Sequence, residues 1–420
     1  MLSREDNELL TRVGPGTPMG EYIRRFWVPV ALASEIAEPD GDPLRIRVLG
    51  EDLVLFRDSE GRIGLLDEHC PHRLASLYFG RNEECGIRCI YHGWKFDVTG
   101  ACVDMPNEPA TSTFKHKVKA KAYPARERGG FIWAYMGPPE RLADFPAFEW
   151  LDVPSTHRYA SRWITECNFV QAMEGEMDTS HVGFLHSRVD RLAEDKMQLT
   201  GAFFHEDRAP KFHVERAPWG MVAAGRRDVE GDKSFWRMNQ FLLPFYSMIP
   251  PVPGNAMMTR AWVPRDDETS WVLCITFRPD RPLGNDEVAR WEAGVNTHRD
   301  LVPGTTQPRA HRGNDYLQDR RAQRTQSFSG IEGVRNQDAC VTESQGGIVD
   351  RTREHLGTAD AAVIQMRKVM MEGARALMTG EEPAPARDGS VYRIRAGHAV
   401  IPRGIAYGDS SEIRDSMVVR

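Results

Sequence analysis

From Pro43 onward, apolar and polar side chains alternate with a period of two. Leu44, Ile46 and Val48 are separated by Arg45 and Arg47. Such spacing puts the apolar set on one face of a strand. Leu53–Phe56 and Arg62–Leu66 read as further strands, with turns at Gly50-Glu51-Asp52 and Asp58–Gly61. Phe131–Tyr135 is another, and Gly137-Pro138-Pro139 breaks the pattern after it. Residues 40–137 are therefore expected to form a small all-β domain. Beyond the break, Tyr159–Thr165 alternates as a strand and Asn168 to about Thr179 reads as a helix. Met221–Arg226 and Phe235–Leu243 are expected strands, and Met258–Val263 and Trp271–Phe277 form a hairpin across Pro264–Thr269. Two more helices are expected, at Asp286–Arg299 and Ala359–Met378. In the second, Val363, Met366, Met370, Ala374 and Leu377 share a face, Thr358 offers a cap and Gly380 a stop.

At the start, Ser3–Asp6 has the form of a capping box before Leu9, Leu10 and Val13. Gly14-Pro15-Gly16 ends that helix and follows no strand, so it is not a phosphate loop. Residues 1–39 are expected to pack on a larger domain that spans 138–420. The tail from Glu381 is rich in Pro, Arg and Gly, and is expected to wrap the surface or a neighbouring subunit. The fold class is α+β.

Lys plus Arg number 54 and Asp plus Glu number 60, a net charge of −6. That balance points away from nucleic acid as a partner. No apolar run approaches the ~18 residues that a membrane span needs. Met1–Leu10 is charged and lacks the apolar core of a signal peptide, so a cytoplasmic location is expected. Seven cysteines is too sparse for a disulfide scaffold, which leaves cysteine free for other chemistry.

Two of them stand in mixed pairs: Cys70-Pro71-His72 and, sixteen residues on, Cys89-Ile90-Tyr91-His92. Two thiolates for one iron and two imidazoles for the other satisfy a [2Fe–2S] cluster of raised potential. Zinc fingers instead space Cys with Cys and His with His. A Cys70–Cys89 disulfide is disfavoured in a reducing compartment. Cys85 lacks a His partner and reads as structural. His69 has the wrong register to be a ligand.

A second constellation is Asp178-Thr179-Ser180-His181-Val182-Gly183-Phe184-Leu185-His186. Asp178 and His181 would share a face of a helix. That helix must bend or end near Gly183 for both imidazoles to converge. Two His and a carboxylate with open positions make the facial triad of non-haem Fe(II) oxygenases.

Cys70-x-His72…Cys89-x2-His92-Gly93-Trp94 resembles the cluster motif of the Rieske non-haem iron oxygenases. Asn168…Glu174-Gly175-x2-Asp178-x2-His181-x4-His186 resembles their catalytic motif. The resemblance implies a small Rieske [2Fe–2S] domain joined to a helix-grip catalytic domain of antiparallel sheet and helices. It implies that His181 and His186 bind a mononuclear Fe(II). Asp178 would be no ligand but a bridge, carrying electrons from His92 of a neighbouring subunit to His181. The third ligand would be a carboxylate in Asn336–Gly346, with Asp338 the better match and Glu343 the other candidate. Cys340 would pack beside the site.

The run from Asn336 through Asp350-Arg351, Glu354-His355-Leu356-Gly357 and Asp360 resembles the phthalate-dioxygenase branch. That branch implies a homotrimer or stacked hexamer. Asp350, Arg351, Glu354 and His355 read as a structural cluster. No nicotinamide- or flavin-binding glycine motif follows a strand, and there is no four-Cys ferredoxin set. Electrons are therefore expected from a separate NAD(P)H-dependent reductase, directly or through a ferredoxin. The expected reaction is hydroxylation of an aromatic acid with O2. O-demethylation of a methoxylated aromatic acid, angular dioxygenation of an aryl ether, and electron carriage without chemistry of its own are alternatives. Arg208, Arg237, Arg226, Thr179 and Ser180 are candidates for holding a carboxylate. Thr179 departs from the paired serines frequent in the branch's phthalate enzymes. Phe184, Phe241, Phe245, Met248 and Ile249 are candidate apolar walls.

Overall fold

Alternating strands with one apolar face must find a cover, and here most of them find it in a single antiparallel sheet. The computed structural model describes residues 2–190, 203–204, 207–252, 254–295 and 297–419. The eight-stranded sheet runs in the order Arg158–Thr165, Ser270–Phe277, Met257–Pro264, Tyr246–Met248, Lys233–Leu242, Gly220–Val229, Lys211–Ala217. Gly397–Pro402 also pairs with Lys233–Leu242. Every residue of Ser270–Phe277 is buried, so both faces of the sheet are covered there. Lys211–Ala217 lies at the edge and exposes Lys211, His213 and Glu215, which blunts that edge with polar groups. The helix Phe169–Met177 buries Phe169, Val170, Ala172, Met173 and Met177 in the core it shares with Met221, Phe241, Val263 and Val272. Asn168 caps it by accepting from Val170 N at 3.1 Å.

The β region nearer the N-terminus holds three small sheets. Leu44–Val48, Glu51–Arg57 and Ile63–Asp67 form a meander. Arg81–Glu83, Gly86–Arg88, Lys95–Phe96 and Cys102–Asp104 form a second, which carries the loops of interest. In the third, Trp27–Leu32 pairs with Phe131–Tyr135, which pairs with Ala125–Arg128. Residues 1–39 thus contribute a strand to this β region. Their helices Arg4–Thr11 and Pro18–Arg24 lie near Ala361–Met378, tied by an Arg375–Asp6 ion pair. Gly373 of that helix faces the Tyr22 ring, where a Cβ would lie 2.7 Å from ring carbon, so only glycine fits. Among the described residues no helix is long and apolar enough to cross a membrane.

Several expectations need correction. The helix of Asn168–Thr179 stops at Met177, with Asp178 as its C-cap. The helix expected at Asp286–Arg299 is Asn285–Glu292, because Gly294 turns the chain at φ +74°. Asp360, not Thr358, caps Ala361–Met378, and Thr358–Asp360 forms a 3-10 turn ahead of it. Pro18–Arg24 is a helix beyond those expected, with Thr17 capping it and Pro18 filling the first position, where no N–H is needed. The tail does not merely wrap the surface, since Gly397–Pro402 joins the large sheet.

The expected polar cluster before the last long helix is partly present. Arg351 is fully buried and pairs with Glu174 at 3.0 Å, while Arg367 joins Glu174 (2.7 Å) to Glu354 (2.6 Å). Asp350 caps a turn by accepting from Thr352 N at 3.1 Å, and His355 is exposed.

A second buried group makes a pH-dependent prediction. His298 is fully buried, with Nδ1 2.6 Å from Ser161 Oγ and Nε2 2.8 Å from Thr276 Oγ1. Burial, helped by Arg260 and Arg335, pulls its pKa down to about 3. An unfolded imidazole titrates near ~6.5. Between these values the unfolded chain holds a proton that the folded chain lacks. Stability should therefore fall as pH drops from about 6.5 towards 3, by up to about 1.4 kcal/mol per unit from this group. Denaturation curves of wild type and His298→Gln across that window should differ in slope, with the variant flatter.

Candidate metal centres

The two Cys–His loops are built alike. In the first, Leu74 N donates to Cys70 O and Cys70 N to Ala75 O, both at 2.9 Å. In the second, Gly93 N donates to Cys89 O at 2.9 Å and Cys89 N to Trp94 O at 2.8 Å. Each loop thus closes between the same relative positions. Each also places its fifth residue at positive φ, Leu74 at 61° and Gly93 at 77°. At Gly93 a Cβ would also lie 2.6 Å from Pro106 Cγ, so glycine is required on two counts.

The loops bring Cys70 and Cys89 into the core, and set the rings of His72 and His92 4.4 Å apart. Trp94 stacks on His72 at 4.2 Å, its own ring fixed by Nε1 donating to Asn107 Oδ1 at 2.7 Å. His92 Nδ1 is buried with no hydrogen-bond partner. Burial pushes the Cys70 thiol up to about 11. A cation that favours thiolate and takes the lone pair of Nδ1 is what these donors lack, and a two-iron cluster supplies it. The residues therefore fit the group. Cys85 sits apart in a tight turn, its N–H donating to Ser59 Oγ at 2.8 Å, and His69 is exposed beside Asp67. Cys102 is buried in the same core without a place in either loop.

In the larger domain, the chain leaves its helix at Asp178 and enters a 3-10 turn, His181–Gly183. Asp178 Oδ1 accepts from Ser180 N at 2.7 Å and Ser180 Oγ at 2.5 Å. Its other oxygen, Oδ2, lies 3.2 Å from His181 Nδ1. Asp178 and His181 thus meet through a turn rather than along a helix face. His181, His186 and Asp338 converge, with one donor atom from each lying within 4.8 Å of the others. His186 Nε2 is 3.1 Å and His181 Nε2 3.6 Å from Asp338 Oδ1. Both Nδ1 atoms face other partners, Asp178 for His181 and Gln337 Oε1 (2.6 Å) for His186. Gln337 is itself held by donating to Ile331 O at 2.8 Å. Hydrogen bonds at Nδ1 that leave both Nε2 atoms facing one carboxylate oxygen are the usual preparation of imidazoles for a metal. Burial opposes the charge on Asp338, but the Arg335 guanidinium and the two imidazoles hold its carboxyl far below the usual range. The donor set fits a single ferrous ion. Glu343 stays out of it, buried and bound by Tyr316 Oη at 2.6 Å. Cys340 packs with Tyr316, Ile331 and Ala339.

A cavity of about 610 Å³ opens from Asp178, His181 and His186. Its walls include Phe235, Ile249, Val252, Met258, Trp291 and Val295 among apolar groups, with Arg237, Arg335 and His398 among polar ones. Of the five candidates for a carboxylate, Arg237 alone lines it. Thr179 is buried behind the wall, accepting from Arg237 Nη1 at 3.1 Å, and Ser180 is spent on Asp178. Arg208 is exposed and lies over the Phe184 ring at 5.3 Å. Arg226 is directed to Asp228 instead. Of the expected apolar walls only Ile249 is present, since Phe241 and Phe245 are in the core and Phe184 is exposed. Sequence reasoning missed His398. It arrives on the C-terminal strand directly opposite Arg237 in the ladder, and only the pairing of those strands could have revealed it.

The cationic character of this wall is pronounced. Arg237 makes its only hydrogen bond among the described residues to Thr179, and burial pulls its pKa down to about 10. Behind it Arg227 is fully buried, donating to Thr179 O at 2.6 Å and Asp207 O at 3.1 Å. Burial and the neighbouring Arg237 pull Arg227 down to about 9. Neither has a carboxylate bonded to it among the described residues.

Residues 26–115 match the model of the Rieske [2Fe–2S] domain, and residues 134–414 match that of the LigXa C-terminal domain like family. The phthalate 4,5-dioxygenase oxygenase subunit of Pseudomonas putida is 39% identical over 97% of this chain and 94% of its own. The 3-chlorobenzoate-3,4-dioxygenase oxygenase subunit of Comamonas testosteroni is 34% identical, covering 100% of both. Among solved structures, dicamba monooxygenase bound to dicamba superposes with a TM-score of 0.59 at 18% identity, over 86% of this chain and 99% of that one. That likeness speaks to the fold alone.

Proposed function

The chain belongs to the Rieske non-haem iron oxygenases, as an oxygenase subunit carrying a [2Fe–2S] cluster and a mononuclear iron, and from that premise we propose that it hydroxylates an aromatic carboxylate. Arg237 carries the reading. It is a guanidinium on the wall of the cavity that opens from His181 and His186, and among the described residues no carboxylate is bonded to it, Glu176 and Asp178 acting only from a distance. A half-buried cation with no carboxylate in contact is costly, and an anionic substrate would relieve it. The relatives named above act, by their names, on phthalate and 3-chlorobenzoate, both aryl carboxylates. The apolar walls suit the ring.

In this reading Cys70, Cys89, His72 and His92 hold the cluster, and His181, His186 and Asp338 hold the iron. The iron supplies binding and activation of O2, and the cluster supplies electrons. The protein's own part is positioning. Arg237 fixes the carboxylate end, His398 stands beside it, and the apolar walls exclude water. Asp178 orients His181 and faces outward far enough, with its side chain 25% exposed, to meet a neighbour. Leu74, Ile90 and Tyr91 on the cluster loops are exposed apolar groups at 70%, 63% and 53%, which suits burial against a second copy. A ring of three copies, with His92 of one facing Asp178 of the next, makes the electron path. The electrons would come from a separate reductase, directly or through a ferredoxin.

The test is a screen of aromatic acids with a surrogate reductase, scored by coupled O2 consumption and product mass. A cis-diol indicates dioxygenation, formaldehyde indicates demethylation, and no coupled consumption with any aryl carboxylate would refute the reading. Arg237→Ala should raise KM for the accepted acid by about 10- to 100-fold, the loss of one charge-assisted pair. It should not raise KM for the uncharged amide of the same acid.

A further inference from the structure

Asp338 has two oxygens, and the structure gives them different neighbours. Oδ1 faces both imidazoles, 3.1 Å from His186 Nε2 and 3.6 Å from His181 Nε2. Oδ2 makes an ion pair with Arg335 Nη2 and has no hydrogen bond besides that contact among the described residues. Arg335 lies one turn before Asp338 on the helix Val334–Glu343. Its other terminal nitrogen, Nη1, donates to Glu176 Oε1 at 2.6 Å. Glu176 is held in turn by Arg260 Nη1, at 2.9 Å to one oxygen and 2.8 Å to the other. The Glu176 and Arg260 side chains are 3% and 1% exposed. Arg335 is therefore clamped from behind by a buried ion pair that spans helix and sheet. It cannot swing off Asp338 without leaving Glu176 short of a partner, an expensive state in the interior.

We infer that Arg335 is a positioning residue that occupies Asp338 Oδ2 and so confines Asp338 to a single-oxygen contact with the iron. The inference rests on the reading that His181, His186 and Asp338 hold that iron. Its consequence is steric and electronic. A carboxylate that chelates with both oxygens takes one more place around the metal than a carboxylate that binds with one. Keeping Oδ2 engaged leaves that place to O2 or solvent on the cavity side, the open positions that define such sites. The guanidinium also withdraws negative charge from Asp338, so the ligand donates less strongly than a free carboxylate. A lysine could not do the same. Its ammonium is a single point, whereas the two terminal nitrogens of Arg335 serve two carboxylates at once.

The test is a crystal structure of the iron-loaded wild type and of iron-loaded Arg335→Leu, with iron counted per chain and the cluster followed by its visible absorption. Wild type should show one Asp338 oxygen on the iron. Arg335→Leu should show two, with the iron count and cluster absorption unchanged. Arg335→Lys keeps the buried charge should the leucine variant fail to fold, and should pair with Glu176 and release Oδ2 to the metal likewise. Two Asp338 oxygens on iron in wild type would overturn the inference, as would a single oxygen in a folded, iron-loaded leucine variant. If neither variant folds, the wild-type count of oxygens decides. Iron absent from these three residues in a protein whose cluster is intact would instead refute the ligand reading, and the inference with it.

Discussion

Replacing Asp338 with Ala is expected to strip the mononuclear iron while the cluster survives. The three donors meet only because the helix Val334–Glu343 delivers Asp338 between imidazoles from a turn far earlier in the chain. With the carboxylate gone, two neutral imidazoles remain, a weak set for a ferrous ion. The cluster loops lie in a separate sheet with their own core, so nothing in them depends on Asp338. Metal analysis should show one iron lost per chain and the visible spectrum unchanged. Hydroxylation should drop by well over ~100-fold, more than the loss typical of an outer partner of a metal ligand. Asp338→Glu should recover part of the iron. Full iron content in Asp338→Ala would mean that another group completes the site.

The second large effect is expected at Asp178, and it has the opposite signature. Burial disfavours the ionised carboxyl, but bonds from His181 and Ser180 outweigh it and keep Asp178 below the ordinary carboxylate range. It is thus an anion at neutral pH, held against the imidazole of His181, a proposed ligand, and still reachable from outside. Asp178→Ala should retain iron and cluster, yet slow turnover by ~100-fold or more, because the path from the neighbouring cluster is cut. Rapid mixing of the pre-reduced protein with substrate and O2 isolates the step. Cluster re-oxidation should slow as much as product formation, and Asp178→Asn, which keeps the hydrogen bond but not the charge, should fall between. Wild-type re-oxidation in Asp178→Ala would dispose of the bridge.

What could be read from the chain alone follows a physical divide. Short strands with one apolar face announce themselves, as Leu44–Val48 and Phe131–Tyr135 do, because the period of two is local. The candidate cluster donors Cys70, His72, Cys89 and His92 could be proposed from their spacing within each loop, whereas His181 and His186 were sharpened by resemblance. Asp338 was reachable only by resemblance, since nothing near it in sequence shows what it meets. Arg335, Gln337 and His398 were not legible, because their roles arise from contacts between elements far apart in the chain. The helix Pro18–Arg24 was hidden by its own start signal, as Gly16, Thr17 and Pro18 look like a turn until the residues after them are seen to wind. Arg208 misled for the converse reason. Residue type suggested an anion site, but the chain turns that side chain outward.

The late strand Gly397–Pro402 bears on how the molecule comes into being. Among the described residues, Lys233–Met238 has Gly220–Val229 along one side and only Gly397–Pro402 along the other. While the chain is being made, that flank, with Phe235 and Trp236 in it, waits as an open row of N–H and C=O groups until residues 397–402 emerge. The cluster loops and all three proposed iron ligands are synthesised before it closes. A nascent chain can therefore be complete in its donors and still be adhesive along one edge. Aggregation along that edge is then a hazard of the time before residues 397–402 emerge, rather than of metal loading.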